Sequence, residues 1–582
     1  MEWGRINVRI CKDWKRYSKH MRACIALLLS LALLAPAAVP ARADAYHATP
    51  KLVVVLVIDQ FRGDYLDRYR DDFKTPNGFN LFLKKGVHFT DCYYDYANLV
   101  TAAGHSTIGT GSYTDGHKIP INEWWERDEN GKLELVTSVS DHRYKLVGVP
   151  TGGTVSPGAS PHREAASTLG DELELATQGR AKVFGVSFKD RAAILTSGHA
   201  TKGAFWTDHD SGAFISSTYW MNELPAWAKE FNASDARAKA RAAANIPSGN
   251  FYEEVGKTPA AVQYMIDFTK ALVKNENLGH NEVSDLLTIS ISNTDILGHK
   301  VGPDSPEQRK MIDAVDVSLN DFFTFLDKQV GLQNVIVALS GDHGVAPTMR
   351  AANDAQMPSV GIKSAVVLKA LEVALDKKWP IKKGEKYVLG GEYPYIQLNQ
   401  KEFEAAHVSE MEAETTAAAE LEALLAASDA NYGVKSTKAA IPADRVADPV
   451  GLGSVYPVAK MRGGEIPDTE LGRRIMHSYS PYVGWAIWLN FSAFQFPGSE
   501  MGATHYSSFA YDRHVPLDFY GSMFVPGTYH DRVAPVDIAA TFASILRVNQ
   551  PSSIEGHVLT QVLKPDNGSM ATTHAPKRGT AK

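Results

Sequence analysis

The sequence KLVVVLVID at residues 51–59 predicts the type of fold. Lys51 is followed by seven apolar residues, most of them β-branched, with no polar residue between them. A strand that is buried on both faces has this continuous pattern, whereas a strand with one solvent-facing side alternates. The run ends at Asp59, and open α/β sheets bind their ligands at the carboxyl ends of their strands. We therefore expect a central parallel strand that carries Asp59 to the edge of a binding site.

Three further apolar runs each end at polar residues, and a fourth apolar run comes shortly after a histidine. Lys182–Phe188 leads into Lys189-Asp190-Arg191, Asp285–Ser292 into Asp295, Val335–Ser340 into Asp342-His343, and Val515–Phe519 follows His505. Apolar residues at helical spacing across 312–326 and 536–546 indicate helices between and after these runs. Strands that alternate with helices predict a central, mostly parallel sheet covered on both faces, which is an α/β/α sandwich.

The stretch ANLVTAAGHST at residues 97–107 places a hydroxyl group where an extended segment gives way to small residues that can open a helix. A helix N-terminus has unpaired N–H groups and a partial positive charge, which favour an alkoxide and a bound phosphate. Thr101 is therefore a candidate nucleophile. A plain N-cap is the commoner role of such a threonine, and it stays the alternative from these residues alone.

Carboxylates and imidazoles follow along the chain in pairs that suit divalent metal ions. Asp295 and His299 are separated by three residues just past a strand, and Asp342 and His343 are adjacent between two glycines. Metal ions that activate an oxygen nucleophile at neutral pH are held by such ligands. Each pair alone is typical of a surface loop. Together with Asp59 and His505 they supply enough ligands for two ions that face Thr101.

The length of 582 residues exceeds the usual size of a single core, so we expect two domains or one large domain with insertions. The aromatic-rich residues 201–250 and the mixed segment 350–500 interrupt the strand–helix alternation, and we expect both to be insertions over the site. The alternative for most of their aromatic residues is a plain core within the insertions. On this interpretation residues 44–565 form one domain, and the polar residues 566–582 form a disordered tail.

The N-terminus has the pattern of a secretory signal peptide. Basic residues precede the apolar run Ile25–Leu34, and Ala41-Arg42-Ala43 provides an A-x-A cleavage site, so residues 1–43 are expected to be removed. Met21 is an alternative start to Met1. A membrane anchor is the other interpretation, but the apolar run is too short to span a bilayer comfortably and is followed by prolines.

The charge of the remaining chain excludes some classes of partner. Residues 1–43 hold eight of the 60 basic and two of the 66 acidic residues, which leaves 52 basic and 64 acidic residues and a net charge of −12. Such a protein is not built to coat nucleic acid or an anionic membrane. Cys92 is the cysteine that remains after removal of Cys11 and Cys24, so no internal disulfide can form. We expect a large core, bound metal, or both to stabilise the fold.

Seven motifs occur in order along the chain: VIDQFRGDYL (57–66), NLVTAAGHSTIGTG (98–111), SFKDRAAI (187–194), NTDILGHKVGP (293–303), SGDHGV (340–345), GATHYS (502–507) and DRHVPLDFYG (512–521). Together they resemble the alkaline phosphatase superfamily, specifically the bacterial phosphate-irrepressible type of alkaline phosphatase, which has a threonine nucleophile. The resemblance spans essentially the whole chain after residue 43. It implies that residues 44–565 are the catalytic domain of an exported bacterial enzyme, periplasmic or secreted. Such an enzyme hydrolyses phosphate monoesters through a covalent phosphothreonine.

The resemblance also implies two zinc ions and the residues that surround them. One zinc would be held by Asp59, Asp342 and His343 with Thr101 as its exchangeable ligand, and the other by Asp295, His299 and His505. Asn122, Lys189 and Arg191 match positions that hold the phosphoryl oxygens. From the residues alone, Lys189 and Arg191 could equally be solvated charges at a strand end, Asn122 a turn residue, and His105 a packed helix histidine.

Two alternative functions remain open on the same fold. A nucleotide pyrophosphatase or phosphodiesterase keeps the metals and the threonine but typically lacks the lysine–arginine pair, and a non-catalytic binding protein would keep only the fold. A sulfatase is disfavoured because it needs a Cys/Ser-x-Pro-x-Arg segment where this chain has Thr101-Ala-Ala-Gly-His. We expect small phosphate monoesters as partners, no nucleic acid, no membrane anchor after cleavage, and a monomer. The acidic loops suit an additional structural Ca²⁺ or Mg²⁺.

Overall fold

The fold is given by a computed structural model, which describes residues 50–150, 157–357, 359–426, 433–434, 452–497 and 502–564. The signal peptide expected at 1–43 and the tail expected at 566–582 lie outside these residues and stay predictions. Among the described residues, none of the helices combines the length and the apolar character needed to cross a membrane.

The strands are β1 Leu52–Ile58, β2 Val87–Phe89, β3 Glu123–Arg127, β4 Leu133–Thr137, β5 Ser140–Val147, β6 Pro157–Ala159, β7 Val183–Ser187, β8 Gly203–Thr207, β9 Phe214–Ser217, β10 Asp285–Ile291, β11 Val335–Gly341, β12 Val360–Ile362, β13 Val388–Gly390, β14 Tyr395–Leu398, β15 Gly433–Val434, β16 Leu452–Pro457, β17 Ala486–Phe491, β18 Gln495–Pro497, β19 Leu517–Tyr520 and β20 Gly527–Tyr529. The helices are α1 Tyr65–Arg68, α2 Asn80–Lys85, α3 Thr101–Thr110, α4 Thr114–His117, α5 Leu169–Thr177, α6 Asp190–Leu195, α7 Ala226–Ala233, α8 Ala236–Ala244, α9 Pro259–Asn275, α10 Asn293–Val301, α11 Pro306–Gln329, α12 Met349–Asp354, α13 Ser364–Lys378, α14 Gln400–Ala405, α15 Glu410–Ala426, α16 Val458–Gly463, α17 Glu470–Met476, α18 Ala510–Arg513 and α19 Asp537–Leu546.

An 11-stranded sheet forms the centre of the fold, in the order β20-β2-β19-β11-β1-β10-β7-β8-β9-β5-β6. Strands β11, β1, β10, β7 and β8 run parallel, with Leu52 of β1 between Val335 and Asp285. The expected mostly parallel sheet is therefore confirmed. The strand expected at 515–519 is β19, and it runs antiparallel to β11.

Helices cover both faces of this sheet. Phe205 of β8 belongs to the cluster that holds the apolar side of α9 and α11, while Ala204 and Trp206 belong to a second cluster with residues of α3 and α6. Because successive strand residues point to opposite faces, the two clusters lie on opposite sides of the sheet. The expected α/β/α sandwich is confirmed, and every residue of β1 is buried, as its uninterrupted apolar run predicts.

Residues 359–426 and 452–497 form a separate layer that we call the cap. Its strands make a four-stranded sheet, β13-β14-β17-β16, and most of a three-stranded sheet, β15-β12-β18. These strands pack with α13 and α15 around their own apolar cluster, which includes Leu371, Leu421 and Leu489. The cap falls within the insertion expected at 350–500. Residues 400–426 of the cap form two helices, α14 and α15, separated by a turn with His407 at φ 60°.

The segment 201–250 differs from the expected insertion at its start, because β8 and β9 are strands of the central sheet. Its aromatic residues pack inward, and the rings of Phe214 and Phe268 stack 3.7 Å apart. Phe205 and Trp227 contact the same Phe268 ring edge-on or tilted. The aromatic residues of this segment therefore build core, which was the alternative to a roof over the site.

Candidate active site

Four neighbouring parallel strands carry the candidate site at their carboxyl ends. Asp59 follows β1, Asp342 follows β11, Asp295 lies in the first turn of α10 after β10, and Lys189 lies two residues past β7. The sheet order β11-β1-β10-β7 makes these four strand ends adjacent. The alternation of apolar runs with acidic ends therefore brings together side chains that are far apart in sequence.

Thr101 is the first residue of α3 and is 2% exposed. Val100 before it is extended, so Thr101 begins the helix, where the N–H groups of the first turn have no partner within the helix. Helix α3 lies directly against the segment that holds Asp342, since a Cβ atom on Gly104 would lie 2.3 Å from the Asp342 carbonyl oxygen. The small residues after Thr101 thus allow the close approach that places its hydroxyl at the site.

A first group of metal-ligand type consists of Asp59, Asp342 and His343. Its ligand atoms lie within 4.8 Å of one another, and all three residues are fully buried. His343 Nε2 is 3.6 Å from Asp59 Oδ1 and 3.5 Å from Asp342 Oδ2. These three atoms have no hydrogen-bond partner among the described residues. Buried polar atoms without partners are costly unless a cation binds them, so this group fits a divalent metal ion.

A second group lies beside the first and consists of Asp295, His343 and His505, whose ligand atoms also lie within 4.8 Å of one another. His505 Nε2 is 3.8 Å from Asp295 Oδ1, and His299 Nε2 is 3.0 Å from the same oxygen. The rings of His343 and His505 stack 3.7 Å apart, so the two groups are contiguous. His299 reaches this group through Asp295 and is more exposed than the rest, with 38% of its side chain accessible.

Backbone carbonyl groups fix the orientation of all three histidines. The Nδ1 atoms of His343, His299 and His505 lie 2.9, 2.9 and 2.6 Å from the carbonyl oxygens of Gly344, Ala503 and Leu99. A carbonyl oxygen only accepts, so each Nδ1 carries the proton and donates it. The Nε2 atom of each ring then faces the carboxylates, which is the orientation that a metal ligand needs.

Lys189 joins the two groups and the candidate nucleophile. Its Nζ lies 2.7 Å from Asp59 Oδ2, 2.5 Å from Asp295 Oδ2 and 3.3 Å from Thr101 Oγ1. The side chain is 3% exposed, so this is a buried ion pair and not the solvated charge that a strand-end lysine usually is. Burial alone lowers the pKa of Lys189, but the carboxylates of Asp295 and Asp59 raise it more, and the ammonium group stays charged.

The carboxylates of the site compete for positive charge. Burial and the negative charges of Asp295 and Asp342 raise the pKa of Asp59 well above its usual range, although Lys189 opposes this. Burial also raises the pKa of Asp295, but the positive charges around it, above all those of His299 and Lys189, lower the pKa by more. The pKa of Asp295 therefore lies well below its usual range. Burial and the neighbouring imidazoles lower the pKa of His505, so its ring is neutral and can bind a cation.

Asn122 lies between α3 and the cap, and Arg191 lies in α6, two residues after Lys189. The side-chain oxygen of Asn122 accepts from the Ala102 N–H at 3.0 Å, and its Nδ2 donates to Glu392 Oε1 at 2.7 Å. Arg191 has 24% of its side chain exposed, and its Nε is buried without a hydrogen-bond partner among the described residues. Asn122 therefore links the helix of Thr101 to the cap.

Three contributors to the site were not predicted as site residues. Gln60 donates its backbone N–H to Asp342 Oδ1 at 3.0 Å and its Nε2 to Asp295 Oδ1 at 2.8 Å, so it links both groups. Glu392 of the cap accepts from Asn122, and Tyr506 donates to Glu392 at 3.3 Å. Gln60 and Tyr506 directly follow predicted ligands in sequence, which is a signal that could have found them. Glu392 is 270 residues from Asn122, and no local pattern marks it.

His105 is a buried residue of α3, as the packed-helix alternative expects. Its Nδ1 lies 2.8 Å from the Thr101 carbonyl oxygen and 3.3 Å from Asp342 Oδ2, and its Nε2 lies 2.8 Å from Ser290 Oγ. His105 thus ties the helix of the nucleophile to a ligand of the first group.

Comparison with known proteins gives one family and several relatives. The family model for type I phosphodiesterase / nucleotide pyrophosphatase matches residues 53–454. The chain is 29% identical over 558 residues to alkaline phosphatase PhoV of Synechococcus elongatus, which covers 89% of this chain and 94% of that protein. It is 30% identical over 555 residues to alkaline phosphatase PafA of Elizabethkingia meningoseptica, which covers 88% and 94%. The crystal structure of PafA matches with a TM-score of 0.76 at 29% identity, over 89% of this chain and 99% of that chain.

A crystal structure of a PafA variant adds a point about spacing. That variant carries substitutions at a threonine, an asparagine, a lysine and an arginine, in this order along the chain. The threonine and the asparagine are separated by as many residues as Thr101 and Asn122 are in this chain. The lysine and the arginine are separated by as many residues as Lys189 and Arg191 are. The same four residue types therefore occur in the same order in both chains, with matching intervals within each pair and a different interval between the pairs.

Proposed function

The chain belongs to the type I phosphodiesterase and nucleotide pyrophosphatase family of the alkaline phosphatase superfamily, and on that premise we propose that it is an alkaline phosphatase, which hydrolyses phosphate monoesters at the site around Thr101. The observation that carries the proposal is the position of the Thr101 hydroxyl. It lies at a helix N-terminus, 3.3 Å from the buried Lys189 ammonium, which also contacts one carboxylate of each metal-ligand group.

We assign one metal ion to Asp59, Asp342, His343 and Thr101, and a second to Asp295, His299 and His505. The unpartnered Asp59, Asp342 and His343 atoms and the three histidine orientations support this assignment. Imidazole nitrogens mixed with carboxylate oxygens suit zinc. Two zinc ions would supply the positive charge that lowers the pKa of the threonine hydroxyl and of water and that neutralises the leaving oxygen.

A structural calcium or magnesium ion has less support. A further group of ligand-type residues, Asp115, His477 and Glu555, lies among the described residues with its ligand atoms within 4.8 Å of one another. It includes an imidazole, which calcium and magnesium do not favour, since both prefer oxygen ligands. We therefore propose two zinc ions as the cofactors.

The protein groups divide the work of phosphoryl transfer. Thr101 Oγ1, whose proton has passed to water, forms a bond to phosphorus as the bond to the leaving alcohol breaks, and the alcohol oxygen takes up a proton from water. Water then hydrolyses the phosphothreonine to inorganic phosphate and free Thr101. Lys189 is already protonated, so it donates to Thr101 Oγ1 and stabilises its negative charge, and it does not act as the base. In this proposal Asn122 Nδ2 and the Arg191 guanidinium donate to the outer phosphoryl oxygens, where charge has to be neutralised in the transition state.

Arg191 favours the monoesterase over the diesterase alternative. A phosphate monoester is a dianion with three non-bridging oxygens, whereas a diester is a monoanion with a second organic group in place of one of them. The unpartnered Arg191 Nε and its partly exposed guanidinium suit the additional charged oxygen. The second organic group of a diester would lie against the Arg191 guanidinium. The guanidinium would then lose its hydrogen bond to a charged phosphoryl oxygen.

The proposed function is tested by the hydrolysis of 4-nitrophenyl phosphate and of its methyl ester, which have the same leaving group. We expect kcat/KM to be higher for the monoester. A preference for the diester would support the nucleotide pyrophosphatase or phosphodiesterase alternative. No turnover of either by the metal-loaded protein would support the non-catalytic alternative. Export is tested separately by the N-terminal residue of the mature protein. Cleavage after Ala43 predicts that this residue is Asp44.

A further inference from the structure

A mostly apolar cavity of about 190 Å³ lies in the cap beside the candidate active site. Its apolar lining comes from α13, β14 and β17 and their flanking residues, namely Val367, Leu368, Tyr393, Ile396, Leu489 and Phe491. Most of these side chains also belong to or pack against the apolar cluster of the cap. An apolar cavity of about 150 Å³ is large enough to bind benzene, so this cavity has room for a group of about aryl or short alkyl size.

The polar end of this cavity is shared with the candidate active site. Glu392 and Tyr506 line the cavity, and the Tyr506 hydroxyl donates to Glu392 Oε1 at 3.3 Å. The same Glu392 oxygen accepts from Asn122 Nδ2 at 2.7 Å. The Tyr506 ring also stacks on His505 at 4.3 Å. The cavity therefore starts where the phosphoryl-binding side chains end.

The backbone at Tyr506 supports a specific role for its ring. Tyr506 has a φ of 97°, a conformation that costs free energy for any residue with a Cβ atom. The hydrogen bond to Glu392 and the stack on His505 hold the side chain in this position. Strained residues that are held in place by several contacts cluster at ligand sites, and this one both lines the cavity and contacts His505.

We propose that this cavity binds the apolar part of the alcohol in the substrate, so that phosphate monoesters of aryl and medium-chain alkyl alcohols are the preferred substrate class. This rests on the proposed phosphatase function. An ester whose phosphoryl group is held by Asn122 has its alcohol next to Glu392 and Tyr506, and the cavity continues from there. Burial of apolar surface then contributes binding free energy that a small polar alcohol cannot provide.

The test compares alkyl phosphates from ethyl to hexyl, whose leaving groups differ in size and hardly in chemistry. With the wild-type enzyme we expect kcat/KM to rise with each added methylene, by at most about fourfold per step, until the cavity is filled. Inhibition constants of the matching alkylphosphonates, which are not hydrolysed, should fall in the same order. This second readout reports binding without the chemical step.

Leu368→Trp fills the cavity from its half-buried wall on α13, and Val366→Trp places the same side chain on the exposed side of the same helix. We expect Leu368→Trp to remove the dependence on chain length from both kcat/KM and the inhibition constants, while Val366→Trp keeps the wild-type dependence. A wild-type enzyme without chain-length dependence, or a Leu368→Trp variant that retains it, would overturn the proposal. Absence of all monoester hydrolysis would instead count against the proposed function.

Discussion

The Lys189 ammonium lies 3.3 Å from the Thr101 hydroxyl, and both side chains are almost completely buried. Lys189 holds this position because Asp59 and Asp295 bind it from opposite metal-ligand groups. A buried charge is stable only with such partners, so the geometry of the nucleophile and the charge balance of the carboxylates depend on the same side chain. This coupling leads to the first prediction.

Lys189→Met should lower the free energy of unfolding of the metal-free protein by about 3–5 kcal/mol, because it leaves two buried carboxylates without their cation. Urea unfolding in the presence of a chelator measures this. Lys202→Met is the matched control, since that ammonium pairs with Glu174 but is 39% exposed, and its loss should cost less than about 1 kcal/mol. Equal stability of the two variants in chelator would show that the buried pair contributes nothing.

Arg191→Ala should lower kcat/KM for 4-nitrophenyl phosphate by about 10- to 100-fold, the value of one charge-assisted contact to a phosphoryl oxygen. The methyl ester of this substrate lacks the additional charged oxygen, so its hydrolysis should change little. Arg180→Ala, an exposed arginine outside the site, should behave as wild type with both substrates. If Arg191→Ala slows both substrates by the same factor, Arg191 has only a structural role.

Removal of divalent metal should abolish activity and lower Tm, and zinc should restore both. The physical reason is that burial and the charges of Asp295 and Asp342 already raise the pKa of Asp59, so a bound cation relieves repulsion in the folded state alone. Metal analysis, turnover and thermal unfolding before and after chelation check this. Full activity in a protein shown to contain no divalent ion would contradict the assignment of both metal-ligand groups.

His199 gives a pH dependence away from the metal-ligand groups. Burial lowers the pKa of His199, but the hydrogen bond to Asp171 and the charge of Glu164 raise it by more, so that the pKa is about 9. Because the folded pKa lies above the ordinary value of 6.5, the stabilisation is complete below about pH 6.5 and is lost as the pH rises through about 9. The side chain is 36% exposed, so solvent screening reduces the effect to the order of 1 kcal/mol.

The check is urea unfolding of wild type and His199→Gln at pH 6.5 and pH 10. At pH 6.5 we expect wild type to be more stable than His199→Gln by about 1 kcal/mol. At pH 10 the difference between the two proteins should be smaller. His142→Gln, at an exposed surface histidine, serves as the control. A difference that stays constant with pH would mean that His199 contributes no charge-dependent stability.

The central strands and their acidic ends could be predicted from sequence because burial on both faces leaves a distinct pattern. Strands β1, β10 and β11 are seven residues each, and apart from Asp285 and Thr288 in β10 they consist of apolar residues, serine and glycine. Strands β8 and β9 have aromatic residues that suit an insertion equally well. Strands β2 and β20 have three residues each, too few for any periodicity.

The metal-ligand residues of the candidate site could be predicted from the sequence, whereas the contacts that support them could not. Aspartate and histidine at strand ends indicate a metal site because few other functions need that combination. A lysine at a strand end is usually solvated, so the burial of Lys189 between two carboxylates follows only from the sheet order, in which β10 lies between β1 and β7. The contact of Glu392 with Asn122 depends on how the cap packs over the sheet, which local sequence does not specify.

The central claim is that Thr101 accepts the phosphoryl group of a monoester. The most direct measurement is acid quenching of the metal-loaded enzyme with labelled phosphate at acidic pH, followed by mass spectrometry of the peptides. We predict label on Thr101 in the wild type, none in Thr101→Ala, and a large loss of monoester turnover in that variant with its fold and zinc content nearly intact. Label on any other residue, or undiminished turnover by Thr101→Ala, would contradict the account.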